Sequence, residues 1–124
     1  MIADELAVRP ASEGPWEALR GALSASRETT IPDMNAALAL GKMLLDTPSL
    51  RARLMEKRLS WQEMFVPLLA ARMDGPAERA KLRATAIVAA ALSCLDTASE
   101  AWIASDGADD LDDLYDEAVA AVRE

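Results

Sequence analysis

Glu56 and Glu63 lie seven residues apart, two helical turns, so a helix could bring both carboxylates to one side as an acid–base pair. Solvated carboxylates at ordinary helix positions are far commoner than such pairs. The chain contains no histidine, which removes most proton transfer near neutral pH, the common hydrolase triads and most transition-metal sites. It also has no Gly-rich phosphate loop and no nucleophile elbow. Catalysis is therefore not expected. The acidic run from Asp106 to Glu117 invites a calcium reading, but an EF-hand loop places glycine at its sixth position, and Gly107 directly follows the first aspartate. Dipole complementation at a helix start accounts for these aspartates, so no metal and no cofactor are expected. Cys94, the one cysteine, falls in an apolar run and reads as a small hydrophobe in a reducing cytoplasm.

The remaining chemistry is recognition of an apolar molecule. Trp61, Met64, Phe65 and Leu68 follow helical spacing, and Pro67 removes a backbone donor among them, so a kink near residues 63 to 67 should interrupt regular packing there. Wide apolar side chains with a few polar atoms make a hydrophobic-ligand site. Ser93, Cys94 and Thr97 are candidates for the polar atoms, and Met34 and Leu38 for the opposite wall. The competing reading is plain core, with mid-helix Ser and Thr bonded to their own backbone.

The elements that must position these residues are helices. The chain has 26 alanines, five glycines and a single phenylalanine, a composition that favours helix and starves strands. Its 124 residues make one domain, large enough to bury roughly two-thirds of the surface its unfolded chain exposes. Five or six helices are expected. Ile2 to Val8 read as the tail of a helix, and Pro15 opens the next at Trp16 to Ala25. Thr30 with Asp33 forms a capping-box pattern for a helix to Leu45, where Gly41 on the apolar face signals close helix contact. Thr47 and Pro48 open a helix to about Met73 that buries Leu50, Leu54, Trp61, Phe65 and Leu68. Pro76 to Ala104 form the longest helix. After Gly107 a closing helix carries Leu111, Leu114, Tyr115, Ala118, Val119 and Val122 three and four apart.

Charge is unevenly distributed. Residues 1–73 hold nine acids and nine bases, residues 74–124 twelve acids and four bases, so the net charge of −8 is C-terminal. That surface repels phosphate backbones. The basic cluster Arg51, Arg53, Lys57 and Arg58 has no interleaved aromatic or Gly-rich loop and reads as a solvated helix face. No stretch reaches the ~18 uncharged residues of a membrane span, and Met1 to Pro10 lack a leader pattern, so a cytoplasmic protein is expected. From Ala84 to Leu95, however, the longest helix carries no charge on any side. A helix of that kind must be covered by its own chain and by another, so the segment should form the spine of a dimer.

The run Leu44-Leu45-Asp46-Thr47-Pro48-Ser49-Leu50-Arg51-Ala52-Arg53-Leu54, then Trp61 and Leu68-Leu69-Ala70-Ala71-Arg72, resembles the C-terminal regulatory domain of a TetR-family transcriptional repressor. Trp102-Ile103-Ala104-Ser105-Asp106-Gly107, followed by a leucine-spaced terminal helix, is similar to that family's closing pair. The resemblance covers nearly the whole chain. It implies an all-α domain spanning residues 1–124, with residues 1–9 the remnant of a linker helix. The last two helices would pair with their counterparts in a four-helix homodimer interface, drawing on Ala86, Ala90, Leu92 and Trp102 of the first and Leu111, Leu114, Tyr115, Val119 and Val122 of the second. It further implies a pocket for a small hydrophobic effector, which here would be the Trp61, Phe65, Met64 and Leu68 region, controlling DNA binding by an N-terminal helix-turn-helix. That reader is not within these 124 residues, so the chain is expected to be either a piece of a longer regulator or a headless module that homo- or heterodimerises without a ligand.

Overall fold

The computed structural model describes residues 2–30 and 33–124, with side chains at 5–25 and 33–124. Among the described residues it is all-α, a bundle of six helices: α1 Ile2–Ala7, α2 Pro15–Thr30, α3 Met34–Asp46, α4 Pro48–Ala70, α5 Ala77–Ala104 and α6 Leu111–Arg123. The central element is α5, which packs along both α4 and α6 and also touches α2 and α3. Its buried residues Ala84, Val88, Ala91, Cys94 and Ala98 recur at three and four, a stripe of mostly small side chains that lets neighbouring helices approach closely. Phe65 and Leu69 of α4, Leu19 of α2 and Leu6 of α1 complete the core, each with no more than 1% of its surface exposed. Burying a side chain of that size contributes about 1.5–3 kcal/mol.

Local signals explain most of the boundaries. Pro15 and Pro48 stand at first-turn positions, where the missing N–H costs nothing. Asp110 caps α6 by accepting from the Asp113 amide at 3.1 Å. The end of α5 is a Schellman turn: the Gly107 amide donates to the Trp102 carbonyl at 3.0 Å and the Asp106 amide to the Ile103 carbonyl at 3.0 Å. Asp106 and Gly107 both adopt positive φ, 54° and 78°.

Several expected boundaries move. The second helix continues to Thr30 rather than stopping at Ala25, because Ser26 to Thr30 contain no breaker and their polarity does not prevent helix formation. The cap of α3 is Asp33, whose carboxylate accepts from the Asn35 amide at 3.0 Å. The Thr30 half of the expected capping box lies outside the described side chains. Thr47 precedes α4 without a side-chain cap bond, leaving Pro48 as the operative start signal. The same helix stops at Ala70, three residues past Pro67, and Arg72 and Met73 close it with amides to the Leu69 and Ala70 carbonyls, both at 3.0 Å. Pro76 sits just before α5 rather than inside it.

Arg72 then ties the two ends of the chain's first half together. Its guanidinium donates to the carbonyl oxygens of Arg9 at 2.6 Å, Pro10 at 2.9 Å and Leu6 at 3.2 Å, the last also accepting from the Arg9 amide at 3.3 Å, and so binds acceptors where α1 ends. Val8, expected to end the first helix, is past its end and 76% exposed.

Candidate functional site

Trp61, Met64, Phe65 and Leu68 share one side of α4, as their spacing requires. Phe65 is fully buried, and its ring meets the half-buried Trp61 edge-on, with centroids 6.4 Å apart and planes at 60°. Met64 and Leu68 pack half-buried against the core. The indole is roofed by cations from the preceding turn: the Arg58 guanidinium lies 4.6 Å from the ring centroid and the Lys57 ammonium 5.3 Å. Arg58 Nε in turn donates to Asp96 Oδ1 of α5 at 2.8 Å. Charged side chains thus border this corner on the α5 side. Arg58 and Asp96 are neighbours of this corner that the apolar pattern missed; the signal for them is Lys57 and Arg58 one turn before Trp61, and Asp96 as the first charge after the uncharged stretch.

Ser93 and Thr97, expected to supply polar atoms to this site, are exposed. They continue the line of Ala86 and Ala90 along the outer side of α5, because positions 86, 90, 93 and 97 fall on one helix face. Met34 and Leu38 do not stand opposite Trp61 either. They pack at the far end of α5: a Cβ placed on Gly107 would come within 3.2 Å of Met34 Sδ, 3.3 Å of Leu38 Cδ1 and 3.6 Å of Trp102 Cζ2. The docking of α3 sets this arrangement, since Gly41 lies so close to Ile103 that an added Cβ would sit 2.6 Å from Ile103 Cδ1.

The neighbourhood of Pro67 does carry a cavity, on the other side of α4. An open groove of about 590 Å³ is lined by Leu59, Gln62, Glu63, Val66, Pro67 and Ala70 of α4 and by Lys81 and Thr85 of α5. None of the residues expected to bind a ligand lines it; those on α4 sit two positions out of phase, roughly half a turn away.

The residues expected at a subunit interface divide into two groups. Leu92 and Tyr115 are each only 5% exposed, enclosed by the chain's own core, and Leu111, Leu114 and Val119 pack against that core. Trp102 is half-buried, against the start of α3. Ala86 and Val122 are exposed and Ala90 is half-buried. The outward side of α6 carries Asp113, Asp116 and Glu117, and Asp116 takes a bidentate pair from Arg20 of α2 at 2.8 and 3.0 Å. The Tyr115 hydroxyl is buried and finds no hydrogen-bond partner among the described residues, and burial pushes its pKa up to about 12. Among the described residues no group of three or more His, Cys, Asp or Glu side chains could hold a metal ion.

A sequence model of the family described as the MftR C-terminal domain, one of the TetR C-terminal domains, matches residues 13–124. The chain belongs to this family. The TetR C-terminal domains are a regulatory, non-enzymatic family. No curated protein and no solved structure matches the chain. The MftR-type domain spans α2 to α6 entirely, and α1 precedes the matched residues.

Proposed function

We propose that this MftR-type domain is the effector-sensing and dimerisation part of a cytoplasmic TetR-family repressor. A small hydrophobic molecule in its core biases one helix arrangement over another, and so controls DNA binding by an N-terminal helix-turn-helix outside these residues. The observation that carries the reading is the outer side of α5. Leu82 is 59% exposed, and Ala86, Ala90, Ser93 and Thr97 extend from it as an uncharged, small-residue face. By length and composition alone α5 could cross a membrane, a test that core helices also pass, yet only 28% of its most apolar window is buried within the chain. A second copy laid along this face supplies the missing cover, and small side chains permit the close helix approach of a bundle seam. The acidic outward side of α6 must point away from the two-fold axis, leaving Ala120, Ala121 and Val122 as its contribution to the contact.

Sedimentation at micromolar concentration tests the dimer: the wild-type chain should run as a pair, and Ala86→Glu with Thr97→Glu as a folded monomer with unchanged helix content. A well-folded wild-type monomer sinks the reading. Sensing is tested by thermal shift against a panel of uncharged apolar compounds. A dimer that none of them stabilises would be the interaction module without a ligand.

A further inference from the structure

The Tyr115 hydroxyl is an expense with no visible return. It is excluded from solvent, unpaired among the described residues, and set in an apolar cluster where a phenylalanine would fill the same space without a polar atom to desolvate. Its polar neighbours do not satisfy it. Arg20 commits two nitrogens to Asp116, and Cys94 on α5 offers only a thiol, a weak donor and acceptor that makes no bond to it. A second copy of the chain cannot satisfy it either, because a docking partner covers surface and this oxygen has none exposed.

We propose that Tyr115 is the polar recognition group of the effector site, donating its hydroxyl to an uncharged acceptor, a ketone, ester or ether oxygen, on an apolar molecule that enters between α5 and α6. This assignment rests on the sensor reading above and places the polar end of the site on α6. The donor role follows from the phenol itself, whose lone pair is delocalised into the ring, and from its burial, which keeps the proton in place throughout the neutral range. The acceptor is uncharged because Arg20, the cation beside Tyr115 among the described residues, is already matched by Asp116, so a buried anion would have no counter-charge from it. Entry is feasible where α5 presents Ala91, Cys94 and Ala98, since small side chains give up little contact when α6 shifts outward. Such a shift moves a helix of the proposed dimer seam, which links occupancy to the arrangement of the two copies.

The test uses 1-tetralone and tetralin, which share a carbon skeleton and differ at one carbonyl. The wild-type chain should bind the ketone roughly three- to tenfold more tightly, the worth of one net hydrogen bond. Tyr115→Phe should bind the two equally and melt no lower than wild type when unliganded. Because the chain has a single tyrosine, 13Cζ-tyrosine labelling gives one resonance, which should move with 1-tetralone and not with tetralin even if the variant folds poorly. Equal affinities in the wild type, a ketone preference that survives Tyr115→Phe, or an unmoved resonance overturns the assignment while leaving the sensor reading intact if tetralin still binds. Failure of both compounds to bind also overturns it, and the sensor reading is then judged by the wider panel.

Discussion

The guanidinium of Arg72 donates to the carbonyl oxygen of Arg9 at 2.6 Å, joining the end of α4 to the end of α1 across more than sixty residues of chain. Its further bonds to Leu6 and Pro10 make it the anchor of α1, which has only six residues and cannot hold a helix alone. Arg72→Met keeps the stem and removes the donors. It should cost about 1–2 kcal/mol in urea unfolding, and amide exchange at residues 5 to 9 should accelerate more than exchange in α5. Arg72→Lys should recover only part, because an ammonium cannot span three carbonyls in the fork geometry. Unchanged exchange in α1 would show that Leu6 alone holds it.

At Gly41 two effects oppose each other. A side chain would gain helix propensity, about 1 kcal/mol for alanine, but its Cβ would fall 2.6 Å from Ile103 Cδ1, the movable tip of a side chain. Gly41→Ala should therefore be nearly neutral, whereas Gly41→Val should destabilise by about 1–3 kcal/mol through overpacking. Ile103→Ala in the same chain should recover much of the Gly41→Val loss. Additive losses in that double-mutant cycle would place the strain elsewhere.

The close approach at Gly41 was legible in the sequence because only glycine interrupts that apolar face, and two helix starts were legible because Pro15 and Pro48 carry their own local chemistry. What periodicity could not supply was the direction each face points after docking. Between Ala84 and Leu95 the chain has no charge to mark the solvent side of α5, so Ser93 and Thr97 read equally well as lining a pocket or a surface. Apolar type alone cannot tell whether Met34 and Leu38 face Trp61; the turn at Gly107, which receives them, depends on a backbone conformation rather than a hydrophobic pattern. The resemblance that assigns Leu92 and Tyr115 to an interface carries no register for this chain, in which both are buried by its own core.

Trp61 reports on its own lid. Arg58 stacks on the indole and pairs with Asp96, so Arg58→Ala removes a cation–π contact and a partly exposed ion pair together. The combined loss should be about 1 kcal/mol, since each of the two is worth from a few tenths to one. Asp96→Asn should cost less than Arg58→Ala, because the stacked guanidinium keeps its contact with the ring. A larger loss for Asp96→Asn would make the ion pair, not the stack, the stabilising element.

Alkaline pH should weaken the fold through Tyr115. Its folded pKa is pushed up to about 12 from an ordinary value of 10, first by burial and then by the neighbouring Cys94 and Asp116, against a smaller opposing effect of Arg20. Below pH 10 both states keep the proton and the contribution is constant. Between about pH 10 and 12 the unfolded chain releases the proton while the folded chain holds it, so the unfolded state binds fewer protons and stability falls as pH rises. The full loss is about 2–3 kcal/mol for a shift of that size. Urea midpoints of wild type and Tyr115→Phe should therefore diverge as pH climbs past 10, with the variant losing less. Cys94, whose thiol burial also pushes up, adds a decline of the same sign that Cys94→Ala should remove separately. Parallel curves for wild type and Tyr115→Phe across this range would mean that the phenol reaches water in the native state, contrary to its placement between α5 and α6.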